Sequence, residues 1–387
     1  MMKAVARWLP FSAPLTWAGG LLLMGAAWTL LRIHIATVDD LSSTVTACRQ
    51  NHISQGAPRD GHTYFFSIGD FGVAGCQSAH SRGELEKTGG AGHKGCSARR
   101  QGRVAKVMER IASGLEPRFV LSLGDNFYVR GVVDLEDPQF NESFEDVYSH
   151  NSLAAVPWQI TLGDHDQRGN VSALLLHTAR SSRWRFPKPY YRFALDDSPI
   201  EFFILDSVGL EGGTGNSSEL GNRRFAADLS EEFAGVRAGT AQWDWLESAL
   251  LEVGNSALRI VVGHRPVVSS VDRDRRDVEL KVAERLRELL RRASENGPVL
   301  YLSGHDHAMQ YLEEPDKRVQ YAGSGVGGFD LHPLLKTPKA PSELRWDYNE
   351  SNGFLVHEVA KDMMTLHFVD VQGAVLHSVD IPFGIQT

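Results

Sequence analysis

Five strand-like runs of this sequence each end in glycine followed by aspartate or histidine. The dipeptides are Gly69-Asp70, Gly124-Asp125, Gly163-Asp164, Gly263-His264 and Gly304-His305. Loops at the carboxyl ends of strands converge on ligands in α/β sheets, and glycine there permits tight turns and close backbone approach. Acidic and imidazole side chains gathered at one edge would repel one another or stay unpaired without a cation. The pattern therefore predicts a metal centre on an α/β scaffold.

Strand-like and helix-like segments alternate from residue 63 onward. Apolar runs predict strands at residues 64–68, 119–123, 158–162, 201–205, 259–262 and 299–302. Apolar stripes of helical period predict helices at 101–112, 241–251 and 278–293, with Thr240 as the N-cap of the second. This alternation indicates an α/β architecture with helices on the outside. Four further runs, at 319–322, 354–359, 365–369 and 375–381, predict a C-terminal antiparallel addition.

Seven side chains close to the ends of these runs are candidate metal ligands. They are Asp70, Asp125, Tyr128, Asp164, His264, His305 and His307. Seven ligands are too many for one four-coordinate zinc site, so we expect two ions about 3.5 to 4 Å apart that share a carboxylate. A tyrosine phenolate, whose phenol has a pKa of about 10, is a hard oxygen donor. Tyr128 therefore favours a trivalent ion such as iron(III).

The five motifs also carry a family resemblance. Residues 69–72 (GDFG), 124–128 (GDNFY), 163–166 (GDHD), 263–267 (GHRPV) and 304–307 (GHDH) resemble, in order, the motifs of the purple acid phosphatases, within the calcineurin-like metallophosphoesterases. The animal-type, tartrate-resistant branch is the most similar. The resemblance runs from about residue 64 to the C-terminus. It implies an α/β (α+β) fold, a four-layer sandwich of two mixed β-sheets flanked by helices.

The resemblance further implies how the ligands divide between two ions. Iron(III) would be held by Asp70, Asp125, Tyr128 and His307. Asp125 would bridge to a divalent iron, zinc or manganese ion, which is also held by Asp164, His264 and His305.

A reaction follows from the same resemblance. The implied chemistry is acid hydrolysis of phosphomonoesters through in-line attack by a metal-bound hydroxide. His165 would protonate the leaving oxygen, and Asp166 would orient the His165 ring. The substrates would be phosphorylated small molecules or proteins.

Two features depart from the family pattern. Asp164 stands where the family normally has asparagine, and its extra negative charge predicts weaker attraction for phosphate or tolerance of a trivalent second ion. An inactive site is the alternative. The family's other substrate-side histidine has no counterpart, because residues 272–277 form a run of aspartates and arginines. Arg265, Arg273 or Arg275 would then contact phosphate; the alternative is a solvated run that pairs with itself.

Other functions fit the same motifs. One is a metallophosphoesterase that prefers diesters or nucleotides, and another is an iron-binding scaffold without turnover. Nucleic acid is excluded as a partner, because the net charge of −8 offers no basic surface.

The N-terminal region is the compositional outlier. Residues 8–31 are uncharged and follow Lys3 and Arg7. The stretch is long enough to span a bilayer, which needs about 20 residues, and it includes an apolar part typical of a signal peptide. We expect a signal anchor or signal peptide over residues 1–38, a linker over 39–62 and a catalytic domain over 63–387.

Sequons and cysteines agree with passage through the secretory pathway. Glycosylation sequons begin at Asn141, Asn170, Asn216 and Asn349. Cys76 and Cys96 bracket a polar loop and are candidates for a disulfide. We therefore expect a lumenal or extracellular glycoprotein that is either secreted or held by a single membrane anchor, with its oligomeric state left open.

Overall fold

A computed structural model describes residues 61–74, 97–196, 198–211, 235–252, 254, 256–275 and 277–383. Its strands form two mixed seven-stranded sheets. The first sheet has the spatial order β14 (Val375–Pro382), β13 (Met363–Asp370), β12 (Gly353–Val359), β1 (Thr63–Ile68), β2 (Val120–Ser122), β3 (Trp158–Gln159) and β4 (Trp184–Arg185). The second has the order β11 (Leu344–Tyr348), β9 (Met309–Glu313), β10 (Val319–Ser324), β8 (Val299–Ser303), β7 (Leu258–Val262), β6 (Ile200–Ile204) and β5 (Tyr191–Ala194).

Helices connect and cover these strands. They are α1 (Ala98–Leu115), α2 (Val171–His177), the single turn α3 (Ser207–Leu210), α4 (Gly235–Leu251) and α5 (Asp277–Ala293). Short turns of other helical types occur at Asn141–Glu145, Asp166–Arg168 and Ser294–Asn296. Helix α1 packs on the first sheet at β12.

The second sheet separates two apolar cores, because side chains alternate across a strand. Phe202 of β6 and Leu300 of β8 belong to the core shared with the first sheet, where Phe65 meets Phe202 edge-on at 5.4 Å between ring centroids. Their neighbours Phe203 and Tyr301 belong to a second core with side chains of α4 and α5. Each fully buried side chain of this size contributes about 1.5 to 3 kcal/mol. The layered sandwich is therefore held from both faces of the second sheet.

Strand direction places the candidate ligands. Strands β1, β2 and β3 pair in parallel in the first sheet, and β6, β7 and β8 pair in parallel in the second. Their carboxyl ends meet at one edge of the sandwich, where the backbone N–H of Gly69 donates to the Ser324 carbonyl across the two sheets, at 2.9 Å. Loops from both sheets therefore contribute to one site.

The predicted fold class is confirmed, and the six predicted runs before residue 303 correspond to β1, β2, β3, β6, β7 and β8, with some corrections. The run at 319–322 is wrong as part of the C-terminal meander, since β10 pairs in parallel with β8 in the other sheet. Only β12, β13 and β14 extend the first sheet antiparallel from β1. Thr240 is not an N-cap, because α4 already begins at Gly235.

Several predictions fall outside the described residues. They concern the N-terminal segment at 8–31, most of the linker, the pair Cys76 and Cys96, and the sequon at Asn216. Among the helices of the described ranges, none has the length and apolarity needed to cross a bilayer.

Candidate metal centre

Three of the candidate ligands occupy backbone conformations that L-residues rarely adopt. The φ angles of Asp70, Asp125 and His305 are 59°, 53° and 65°. This left-handed region costs about 1 to 2 kcal/mol for a residue with a β-carbon. Such turns persist where the surrounding structure fixes them, and they cluster at functional sites.

Close packing between loops explains the glycines that precede these ligands. A β-carbon on Gly163 would lie 2.1 Å from Asp125 Oδ1, and one on Gly304 would lie 2.6 Å from Asp70 Oδ2. No real side chain fits at such distances. Gly163 and Gly304 are therefore required, because each leaves room for a candidate ligand of another motif.

Asp70, Tyr128 and His307 form what we call the tyrosine half of the site. The Tyr128 hydroxyl lies 2.9 Å from Asp70 Oδ1 and 3.3 Å from His307 Nε2. His307 Nε2 in turn lies 3.1 Å from Asp70 Oδ1. Tyr128 is fully buried, and its ring stacks on Phe329 with centroids 4.3 Å apart. Three potential ligand atoms thus converge within hydrogen-bond distance.

Asp125, Asp164, His264 and His305 form the histidine half. Each offers one ligand atom, and these four atoms all lie within 4.8 Å of one another. His264 Nε2 is 3.4 Å from Asp125 Oδ1 and from Asp164 Oδ1, while His305 Nδ1 is 3.0 Å from Asp164 Oδ1. The two halves adjoin, because the backbone N–H of His305 donates to Asp70 Oδ2 at 2.7 Å.

Burial and neighbouring charges move the pKa values in both halves. Burial, with Asp125 and Asp70 nearby, raises the pKa of Tyr128 well above its usual value. Burial opposes the ionisation of Asp164, yet hydrogen bonds to His264 and His305 hold its pKa well below normal. Burial also lowers the pKa of His305 to about 4, and Arg265 adds to this effect. Asp164 and His305 therefore pair an anionic carboxylate with a neutral imidazole. Burial opposes the protonation of His264, yet Asp125 and Asp164 raise the pKa of His264 well above normal.

The donor chemistry of the two halves fits metal ions. Carboxylate oxygens and imidazole nitrogens in the histidine half suit divalent transition metals. The tyrosine half, with phenol and carboxylate oxygens and a single imidazole, suits a harder ion. Buried acids and imidazoles that converge in this way are costly without a cation.

His165 lies beside the site, but its ring is oriented differently from the prediction. His165 Nδ1 donates to the Val129 carbonyl at 2.5 Å, and Nε2 is 3.9 Å from Asp125 Oδ2. The Asp166 carboxylate instead accepts hydrogen bonds from the backbone N–H groups of Asn126, Phe127 and Gly163. Asp166 therefore ties the second and third motifs together, and Val129 orients the His165 ring.

Of the three arginines predicted at the substrate, Arg265 comes closest to the ligands. Its Nη1 lies 2.7 Å from His305 Nε2 and 2.9 Å from Glu279 Oε1. Arg273 instead binds Asp306 at 2.6 Å and Glu279 at 3.3 Å.

Arg275 lies against the loop that follows His264, and its contact with phosphate stays a prediction. Its guanidinium donates to the carbonyls of Pro266 and Val267. In the described residues, the side-chain partners of Arg273 and Arg275 lie outside residues 272–277, so the self-paired alternative does not describe these two arginines.

Sequence reasoning missed two residues at the site. Arg168 Nη2 lies 2.5 Å from Asp164 Oδ2. The i,i+4 spacing of these opposite charges was an available signal. His332 stacks on His307 with ring centroids 4.0 Å apart, and its Nδ1 accepts from the His307 backbone N–H at 3.1 Å. No local pattern marks His332, because its position depends on tertiary packing.

The described sequons differ in accessibility. Asn141 is exposed. Asn170 caps α2 by accepting from the Ala173 N–H, and its amide nitrogen donates to the Val133 carbonyl. The Asn349 amide nitrogen donates to the His332 carbonyl at 2.7 Å. A glycan on Asn170 or Asn349 would be attached to an amide nitrogen that already donates a hydrogen bond within the fold.

Comparisons with known proteins agree with this geometry. The calcineurin-like phosphoesterase family matches residues 68–309. Human tartrate-resistant acid phosphatase type 5 is 35% identical over 286 residues, which is 72% of this chain and 83% of that protein. Purple acid phosphatase 4 of Arabidopsis thaliana is 28% identical, over 84% of this chain and 86% of that protein.

A solved structure supports the fold alone. The structure described as "GAP50 the anchor in the inner membrane complex of Plasmodium" has a TM-score of 0.62 at 23% identity, over 84% of this chain and 89% of that chain. The family match covers more than half of the sequence, and it includes the residues of both halves of the site. The chain therefore belongs to the calcineurin-like phosphoesterases and is a metal-dependent phosphoric monoester hydrolase similar to the purple acid phosphatases.

Proposed function

We propose that the enzyme is an acid phosphatase with a binuclear centre, in which the tyrosine half holds iron(III) and the histidine half holds a divalent iron, zinc or manganese ion. One observation carries the proposal: two ligand sets of different chemistry share one edge and are linked by the 2.7 Å bond from the His305 N–H to Asp70 Oδ2. Asp125 would be the carboxylate ligand shared by the two halves. When bound, the ions supply the Lewis acidity that activates water and stabilises charge on the phosphoryl oxygens.

The chain's own residues handle the leaving group and the phosphate. Because His165 Nδ1 donates to the Val129 carbonyl, Nε2 is the nitrogen that gives a proton to the leaving oxygen. Of the three arginines predicted to contact phosphate, Arg265 is the nearest to the ligands and is proposed to attract the phosphate dianion. Its contacts with His305 and Glu279 hold its guanidinium at the histidine half.

The test combines metal analysis with a pH–rate profile on an aryl phosphate. We expect two metal ions per chain, a visible tyrosinate absorption band and hydrolysis that is fastest at acidic pH. An aryl phosphodiester and a nucleotide serve as competing substrates. Faster hydrolysis of the diester would contradict a monoesterase, and a tyrosinate band without turnover from acid to neutral pH would favour a non-catalytic scaffold.

We also propose that residues 63–387 form the catalytic domain and that residues 1–38 direct it into the secretory pathway as a signal peptide or membrane anchor. Protease protection in sealed microsomes tests this proposal. Protection of the catalytic domain is the expected result, whereas digestion without detergent would contradict it.

A further inference from the structure

Arg168 connects the unusual acidic ligand of the site to the histidine beside it. Its Nη2 lies 2.5 Å from Asp164 Oδ2, and its Nη1 lies 3.1 and 3.3 Å from the two ring nitrogens of His165. The side chain of Arg168 is 38% exposed, whereas that of Asp164 is 6% exposed. The guanidinium thus lies at the rim of the site and reaches a buried carboxylate.

The two oxygens of Asp164 face different partners. Oδ1 faces the imidazoles of the histidine half, at 3.4 Å from His264 and 3.0 Å from His305. Oδ2 faces Arg168. Arg265 contributes less, because its Nη2 is 3.9 Å from Oδ1. Metal binding through Oδ1 therefore leaves the ion pair between Oδ2 and Arg168 intact.

We propose that Arg168 cancels the extra negative charge of Asp164, so that the site attracts phosphate as if its ligand were neutral. This inference rests on the proposed function and revises the expectation that Asp164 weakens phosphate binding. Asp164 and Arg168 act as one neutral unit that replaces a neutral amide ligand.

A charge cycle follows from this pairing. The net charge of positions 164 and 168 is 0 in the natural protein, +1 in Asp164→Asn, −1 in Arg168→Leu and 0 in the double variant. Phosphate affinity should rise with this net charge, by on the order of tenfold for each unit of charge. The double variant should therefore return to the affinity of the natural protein.

The first measurement is the Kd of inorganic phosphate by calorimetry, on full-length protein with matched metal content. We expect Asp164→Asn to bind most tightly and Arg168→Leu most weakly. Arg180→Leu is the matched control, because Arg180 pairs with Glu136 at 2.6 Å and its described contacts include no site residue. A double variant as weak as Arg168→Leu, or an Arg168→Leu affinity equal to that of the natural protein, would overturn the proposal.

A second measurement needs neither turnover nor metal. In the metal-free proteins, Arg168→Leu should lower the melting temperature when residue 164 is aspartate and leave it nearly unchanged when residue 164 is asparagine. Equal effects in both backgrounds would show that Arg168 and Asp164 do not stabilise each other, and would reject the proposal. If Arg168 and Asp164 are coupled but the protein hydrolyses no aryl phosphate, the proposed function is rejected and the pairing is not.

Arg168→Lys tests whether the positive charge of Arg168 is sufficient. Lysine keeps this charge but lacks the planar guanidinium fork. We expect phosphate affinity close to that of the natural protein. An affinity as low as that of Arg168→Leu would reject charge cancellation as the role of Arg168.

Discussion

The two halves of the metal centre differ in how their negative charge is balanced. In the histidine half, two carboxylates lie among imidazoles, and Arg168 and Arg265 approach Asp164 from the rim and the interior. In the tyrosine half, Asp70 and Tyr128 contact His307, and no arginine contact is found for these three residues within the described ranges. In the proposed binuclear centre, the tyrosine half would therefore depend more on a bound ion for positive charge.

This difference explains why the proposed centre would bind ions of different charge in its two halves. A buried phenol beside carboxylates has its pKa raised well above normal, so a phenolate there requires a strong cation. The histidine half already contains cationic neighbours and needs less charge from a metal. Ligand hardness and charge demand thus favour the same arrangement, trivalent at the tyrosine half and divalent at the histidine half.

The largest effects are expected when one histidine is removed from each half. We expect His307→Ala to lose the tyrosinate absorption band, because His307 Nε2 lies 3.3 Å from the Tyr128 hydroxyl. We expect His305→Ala to keep the band and lose the divalent ion. Both should lose activity by at least about 100-fold. Visible spectra and metal stoichiometry of the two variants give the answer, and identical spectra would contradict the division.

Tyr128→Phe tests whether the phenol of the tyrosine half is a metal ligand. The phenyl ring keeps the stacking on Phe329, so the fold should remain. We expect the absorption band to disappear and iron(III) retention to fall by about tenfold to 100-fold. Metal analysis after dialysis measures this loss. Retention equal to that of the natural protein would show that the phenol is not a ligand.

Buried His357 makes the stability of the core depend on pH, independently of the metal centre. His357 is fully buried, stacks on Phe65 and bonds to the Ser67 hydroxyl at 2.8 Å. Burial, with a smaller effect of His367, lowers the pKa of His357 to about 3. The unfolded chain takes up this proton near pH 6.5. The stability that comes from the neutral ring is therefore complete above pH 6.5 and is lost as the pH falls toward 3.

At pH 5 this linkage costs about 2 kcal/mol. Replacing His357 by glutamine should reduce the loss of unfolding free energy between pH 7 and pH 5 by a similar amount. Denaturant titrations at the two pH values measure the change. Ser149→Ala, a substitution of an exposed residue without a titratable group, is the control and should leave the pH dependence unaltered. An unaltered dependence in His357→Gln would contradict the assignment.

The smallest expected effect concerns a helix that follows the third motif. Asn170→Ala removes the cap of α2 and should lower the free energy of unfolding by about 1 kcal/mol. Asn141→Ala also removes a sequon but is exposed, so its effect should stay within about 0.5 kcal/mol. Thermal unfolding of both variants, expressed without glycosylation, tests the difference. Equal destabilisation would argue against the capping role.

The convergence of the candidate ligands was predictable because each is marked by a local signal. A glycine and the strand before it lie within a few residues of Asp70, Asp125 and His305, and the fold brings those strand ends together. Strand β9 was missed because Met309–Glu313 is buried throughout and shows no alternation of polar and apolar residues. Strand β4 was missed because it has only 2 residues.

Side-chain pairing was harder to foresee than the backbone. Arg275 was predicted as a phosphate contact, yet it binds carbonyls of the loop that follows His264. Nothing within a few residues of Arg275 indicates that choice, because arginine has five donors and a long flexible stem. Tertiary geometry decides which acceptor such a side chain finds.

The left-handed turns at Asp70, Asp125 and His305 have a consequence for metal exchange. Backbone hydrogen bonds fix these turns; the Asp70 N–H, for example, donates to the Gly124 carbonyl at 3.0 Å. Because neighbouring chain segments hold the ligands, an incoming ion has little polypeptide to order. Ions of different size and charge, such as gallium(III) or cobalt(II), would then meet a rigid template, and selection among them would follow supply and ligand hardness more than any adjustment of the protein.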